Sequence, residues 1–225
     1  TGNLTVPASF SVDETLHAEM SRLALVDDPA APDSNDGEIV DPRDFPSLAI
    51  KVADFSIGDL RFGGLDARAI RDDRGLIAAG ITTRNESFTL NVDGDWVITD
   101  PVNLTPRTRI RLVLDSSDVA ATLDSLGYEP LIVAAWGTAN ADLTWNGMPG
   151  MGMVYESKGS FGFRIENGQV MNVEPGGGRL LGLLSFTSLP RRLSLDFRDV
   201  FNDGLGFDKL KGSFQLDSGL AYTCD

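Results

Sequence analysis

The stretch "EPGGGRLLG", residues 174–182, has the outline of a loop that cradles phosphate, and it is the first place to look for chemistry. A phosphate loop needs Lys-Ser or Lys-Thr after its second glycine, and here Arg179 and Leu180 follow Gly178. The dinucleotide pattern G-x-G-x-x-G fails as well, because Leu181 stands at its last position. The one histidine, His17 in "DETLHAEM", has no serine, cysteine or second ligand spaced to make a triad or a zinc site, so it reads as a surface residue. "DSNDGE", residues 33–38, misses the ligand offsets of a calcium loop and reads as a solvated acidic segment. Two pairs of acids, Asp72 with Asp73 and Asp95 with Asp100, are the candidates for glycosidase chemistry, and Trp96, Trp136 and Trp145 for a sugar-stacking platform. In a chain this acidic such pairs arise by chance, and the tryptophans read better as sheet-face or rim residues. No metal, cofactor or catalytic group is expected.

The elements that must position these residues are mostly strands. Apolar and polar residues alternate in "SLAIKVADF" (Leu48, Ile50, Val52), "SFTLNV" (Phe88, Leu90, Val92) and "TRIRLVLD" (Ile110, Leu112, Leu114). They alternate again in "SFGFRI" (Phe161, Phe163, Ile165), "RLSLDF" (Leu193, Leu195, Phe197) and "SFQLD" (Phe214, Leu216). "IRDDRGL", "NVDGDW", "IENGQV" and "LDSGL" carry the residues of tight antiparallel turns, which predicts a meander with consecutive strands as neighbours. Two short helices are expected. "DSSDVAATLDSLGYEP" has Ser116, Ser117 and Asp118 as N-cap candidates, Val119, Leu123 and Leu126 at helical spacing, and Gly127 as a stop. The second is "GRLLGLLSF", with Leu180, Leu183, Leu184 and Thr187 on one face, Leu181 on the other, and Pro190 ending it before Arg191 and Arg192. No strand–helix–strand rhythm appears, which excludes Rossmann and TIM architectures.

Composition agrees with a globular domain: 225 residues, 42% hydrophobic, with 33 Asp and Glu against 19 Lys and Arg for a net charge of −14. That surface excludes a nucleic-acid partner. No apolar run approaches the roughly 18–20 residues of a membrane-spanning helix. Cys224 is alone and cannot form an internal disulfide. The abrupt start at "TGNLTVPASF" and the end within "GLAYTCD" read as a piece cut from a longer protein. Residues 27–46, rich in Pro, Asp and Gly, are expected to form a flexible acidic loop.

From "EPGGGRLLGLLSFTSLPRRLSLDFRDVFNDGLGFDKLKGSF" the chain resembles the C-terminal portion of the YhdP proteins of the AsmA-like superfamily. "IGDLRFGGLDARA", "DVAATLDSLGY" and "ADLTW" extend the resemblance over residues 47–224, with Pro175-Gly176-Gly177-Gly178 standing where the family usually has Pro-Gly-Ala-Gly. The resemblance implies a mainly β fold: a strongly curved, meandering antiparallel sheet with an apolar concave groove and two short helices. Residues 47–225 would be the AsmA-like groove domain, and 1–46 would add N-terminal strands and the acidic loop, with 1–26 continuing the same sheet.

It implies a non-enzymatic, periplasmic segment of a protein anchored in the inner membrane by a part outside this chain. Phospholipid acyl chains would be its cargo, and the outer membrane or a protein associated with it would be its partner. The lipid-contacting residues would be Ile110, Leu112, Leu114, Phe161, Phe163, Ile165, Leu180, Leu183, Leu184, Phe186, Leu193, Leu195 and Phe197. Two readings stay open at this point. The alternation fits an open groove lined for acyl chains, and it fits equally a scaffold module whose apolar face is covered by its own chain. The helix at 180–186 is correspondingly a lipid-gating element, with Arg191 and Arg192 near headgroups, or a plain core helix.

Overall fold

The computed structural model describes residues 2–5, 15–25, 40–150, 156–171 and 205–223. Eleven strands in these residues form one open sheet in chain order. They are β1 (Gly2–Thr5), β2 (Thr15–Leu25), β3 (Ser47–Ile57), β4 (Leu60–Asp72), β5 (Gly75–Arg84), β6 (Phe88–Asp100), β7 (Thr105–Ser116), β8 (Ile132–Asn146), β9 (Lys158–Val170), β10 (Leu205–Asp217) and β11 (Leu220–Thr223). One α-helix, α1 (Val119–Ser125), joins β7 to β8, and a short 3-10 turn, Pro42–Asp44, precedes β3. The second expected helix, at 180–186, lies outside the described residues.

The neighbour order matches the expected meander with one exception, since β2 and β3 pair in parallel. A parallel pair needs a crossover of a dozen or more residues to bring the chain back to its starting end, and residues 26–46 supply that length. Two of the four expected turns are found. Asp72 accepts hydrogen bonds from the amides of Arg74 (2.8 Å) and Gly75 (3.0 Å) at the β4–β5 turn, and Ser218, with φ of 50°, turns β10 into β11.

The other two turns are corrections. Asp93-Gly94 lies inside β6, and Asn167-Gly168 lies inside β9. Gly94 is there for a close approach: a Cβ on it would collide with the carbonyl oxygen of Arg109 across the ladder. Asn167 holds φ of 56° without reversing the chain, and the ladder keeps its register across it, with Glu166 opposite Lys209 and Gly168 opposite Phe207.

Helix α1 forms as its sequence predicts. The Asp118 side chain accepts from the amide of Ala121 at 3.0 Å, and Gly127, with φ of 75°, ends it. A helix of seven residues is unstable alone. Tertiary contacts hold this one: Val119 is buried with Ile165 and Leu210, and Leu123, Ile132, Phe163 and Phe207 pack around them. Polar bonds add to this where the helix crosses the sheet. Thr122 Oγ1 lies 2.8 Å from both Ser116 Oγ and Asp118 O, and 3.3 Å from Ser87 O.

Candidate functional site

Residues directly opposite one another in a ladder share a face of the sheet, so the register assigns the sites. From β6 to β10 one row reads Val92–Leu112–Ala141–Phe161–Phe214. A second reads Leu90–Leu114–Ala139–Phe163–Gly212. The six described candidates, Ile110, Leu112, Leu114, Phe161, Phe163 and Ile165, therefore lie on one side of the sheet, on β7 and β9. β8 joins them through Ala139, Ala141 and Leu143, which reading the sequence did not single out. Phe161, Phe163 and Phe214 form a cluster of rings with centroids 6.1–6.3 Å apart. Ala141, Leu143 and Trp145 are buried, with Ile110, Leu112, Phe161 and Leu216 packed against them.

Burial along this side is uneven. Leu90, Val92, Ile110, Leu112, Leu114, Phe161, Phe163 and Phe214 are half-buried. The strand ends on either side of them are closed. At one end lie Phe88, Val119, Ile165 and Leu210, the last only 1% exposed. At the other, Trp96–Thr108–Trp145 forms a buried row. There Phe45 packs on Trp96 with centroids 5.1 Å apart, and the Trp145 indole N–H donates to Met148 O at 3.0 Å. Ile165 is thus a support for α1, while Ile110, Leu112, Leu114, Phe161 and Phe163 remain partly open. Leu180, Leu183, Leu184, Phe186, Leu193, Leu195 and Phe197 lie outside the described residues.

The opposite side is ionic. Arg107 pairs with Asp95, and Asp142 accepts from Arg109 at 2.7 Å and Arg111 at 3.4 Å. The hydrogen bond from Arg109 is the largest effect on the Asp142 carboxyl; burial opposes it, and the charges of Arg109 and Arg111 add to it, so the carboxyl is held below its ordinary value. A depressed folded pKa contributes stability above the unfolded value of about 3.9, and that contribution is lost as pH falls through the folded one. We expect Asp142→Asn to destabilise the chain at neutral pH, with a difference that shrinks towards zero in strongly acid solution. Denaturant titrations of both proteins across that range check it; an undiminished difference in acid rules out the linkage.

The residues considered for catalysis have structural employment. Asp95 is held by Arg107, Asp72 caps its turn, and Asp100 accepts from Val102 N and Asn103. Trp96 and Trp145 are each 6% exposed, whereas Trp136 is 38% exposed and pairs with Glu166, out of step with the buried row. The three tryptophans do not form one platform. His17 is exposed on β2. Among the described residues no three His, Cys, Asp or Glu side chains are placed to hold a metal, and no helix is long and apolar enough to cross a membrane.

A one-sided apolar array on a long open sheet invites comparison with known proteins. The family model described as YhdP protein matches residues 1–225. This chain belongs to the YhdP family. A relative from Escherichia coli (strain K12), named intermembrane phospholipid transporter YhdP, is 27% identical over 190 residues. The match covers 84% of this chain and 15% of that relative, so the YhdP-family chain spans a small part of its relative's length. No solved structure matches.

Proposed function

We propose that this chain is a periplasmic segment of an intermembrane phospholipid transporter, holding acyl chains in a curved groove and passing them towards the outer membrane. The full protein is anchored in the inner membrane through a part outside this chain, and this segment has no enzymatic role. One observation carries the reading: the rows Leu90–Leu114–Ala139–Phe163 and Val92–Leu112–Ala141–Phe161–Phe214, half-buried except at Ala141 and bounded at both strand ends by buried residues. Family membership and the relative's name give it direction. Acyl chains need only a non-directional apolar lining, worth about 0.8 kcal/mol per buried methylene. The absence of a polar constellation among these rows is therefore no obstacle.

Curvature has two supports. On a flat sheet β4 and β10, six strands apart, would stand roughly 29 Å apart at about 4.8 Å per spacing. Yet α1, about 10 Å long, reaches β4 through the Asp124–Arg61 pair and shares with β10 the buried cluster of Val119, Ile165 and Leu210. The second support is a register row with glycine at two points, Gly94–Ile110–Leu143–Gly159, in which a Cβ on either glycine would strike the neighbouring backbone. Close backbone approach at aligned positions bends strands.

A second reading has its own observation. Ile165, Leu210 and Trp96 are covered by the chain itself, as in a scaffold module with a closed core. Native mass spectrometry with lipid extraction on the 225-residue protein and on Leu112→Asp separates the two. Leu112 is half-buried and sits between Val92 and Ala141. We expect phospholipid to co-purify with the wild type and to fall at least tenfold in a folded variant, since a carboxylate there must stay solvated. A folded, monomeric wild type free of lipid favours the scaffold.

A further inference from the structure

Helix α1 lies across one margin of the sheet. On one side its Val119 is buried with Ile165 of β9 and Leu210 of β10, and a Cβ on Gly137 of β8 would come within 3.0 Å of the Val119 side chain. In the middle Thr122 reaches Ser116 of β7 and the carbonyl of Ser87, just before β6. On the far side Asp124 accepts from Arg61 of β4 at 2.6 Å, and a Cβ on Gly127, just past the helix, would come within 3.1 Å of Leu60 Cδ2. One short helix thus bridges strands from β4 to β10, over the side that carries the half-buried rows.

Its two outer attachments are unequal, and Thr122, 5% exposed, holds the middle. The β9–β10 side is a buried apolar cluster, whereas the β4 side depends on Leu60 and on an ion pair whose side chains are 63% and 65% exposed. An exposed pair of this kind is among the weakest of tertiary contacts. We infer that α1 is a hinged crossbar over the margin of the apolar rows, fixed at Val119 and Thr122 and latched at Arg61–Asp124, and that phospholipid enters or leaves the rows when the latch opens. The inference rests on the lipid reading above and adds to it a moving part and the side of the sheet at which exchange occurs.

The test is a charge swap. Arg61→Asp and Asp124→Arg each set like charges against each other, and the double variant restores the pair in reverse. Two readouts are taken on the 225-residue protein. One is amide hydrogen exchange within α1, where the Leu126 amide donates to Thr122 O at 3.0 Å. The other is the rate of uptake of labelled phosphatidylethanolamine from phosphatidylcholine vesicles. Both single variants are expected to raise α1 exchange and lipid uptake two- to fivefold, the scale of one exposed pair, and the swap to return both to wild type. The single variants change net charge in opposite directions, so a general electrostatic effect on vesicle encounter would move their rates apart. Unchanged α1 exchange in all four proteins overturns the latch. Faster exchange with unchanged uptake overturns its role in lipid passage. Slower uptake with Arg61→Asp and faster with Asp124→Arg makes the effect one of net charge on vesicle encounter and overturns the latch. No uptake by the wild type removes the lipid reading itself, while the exchange data still report on the latch.

Discussion

Gly159→Ala is expected to destabilise the chain by about 3 kcal/mol, whereas Gly206→Ala, also in a strand, changes stability by less than about 0.5 kcal/mol. Both replace glycine with the smallest side chain that has a Cβ, so the difference comes from position. Gly159 has φ of 149°, a conformation that L residues rarely adopt, and its added Cβ would collide with the carbonyl oxygen of Asp142 and lie 3.1 Å from Leu143 Cα. Backbone cannot rotate away as the tip of a side chain can, so β8 and β9 must separate locally or the strain must be kept. Each route costs on the order of 1–3 kcal/mol. A Cβ on Gly206 meets nothing within 4 Å. Denaturant unfolding of the two variants beside the wild type checks the pair. Similar losses in both would mean that Gly159 is an ordinary strand glycine and that the row it shares with Gly94 carries no special constraint.

That row also marks the limit of what the sequence made legible. Period-two alternation located β3, β6, β7, β9 and β10, because each has one apolar and one polar side and the pattern is written in consecutive residues. The cap at Asp118 and the stop at Gly127 located α1 for the same reason. Asp93-Gly94 and Asn167-Gly168 misled because the same dipeptides serve turns, close approaches and bulges, and the choice among these depends on the strand opposite. The parallel β2–β3 pair was hidden likewise, since its direction depends on where residues 26–46 return the chain.

That Ile110, Leu112, Leu114, Phe161 and Phe163 alternate onto one side of their strands was readable. The same was not readable for Ala139 and Ala141 of β8, because alanine in "GTANADLTW" makes a faint alternation. They matter through register: they are the small residues between Leu114 and Phe163 and between Leu112 and Phe161. Val119 and Leu210 were each legible as apolar, but not as members of one cluster, since 91 positions of sequence separate them and only Ile165 and the fold bring them together.

Leu210→Ala follows from that contact and is expected to cost about 3 kcal/mol, within the 2–5 kcal/mol usual for truncating a buried leucine. Leu210 is 1% exposed, and it pairs with Ile165 beneath Val119. Truncation removes transfer energy from the sheet and leaves a cavity under α1, so two distinguishable effects should appear together. The global unfolding free energy should fall, and amide exchange in α1 should rise by more than that global loss explains, because the helix loses its firm attachment. Leu220→Ala, at a side chain 59% exposed in β11, should do neither. The same variant discriminates between the two accounts of the apolar rows. If α1 is a crossbar hinged at Val119, loosening the hinge should speed uptake of vesicle lipid even though the protein is less stable. If α1 only closes a self-contained core, the variant loses stability and gains no lipid. A faster, less stable protein is a result that a simple packing defect does not predict.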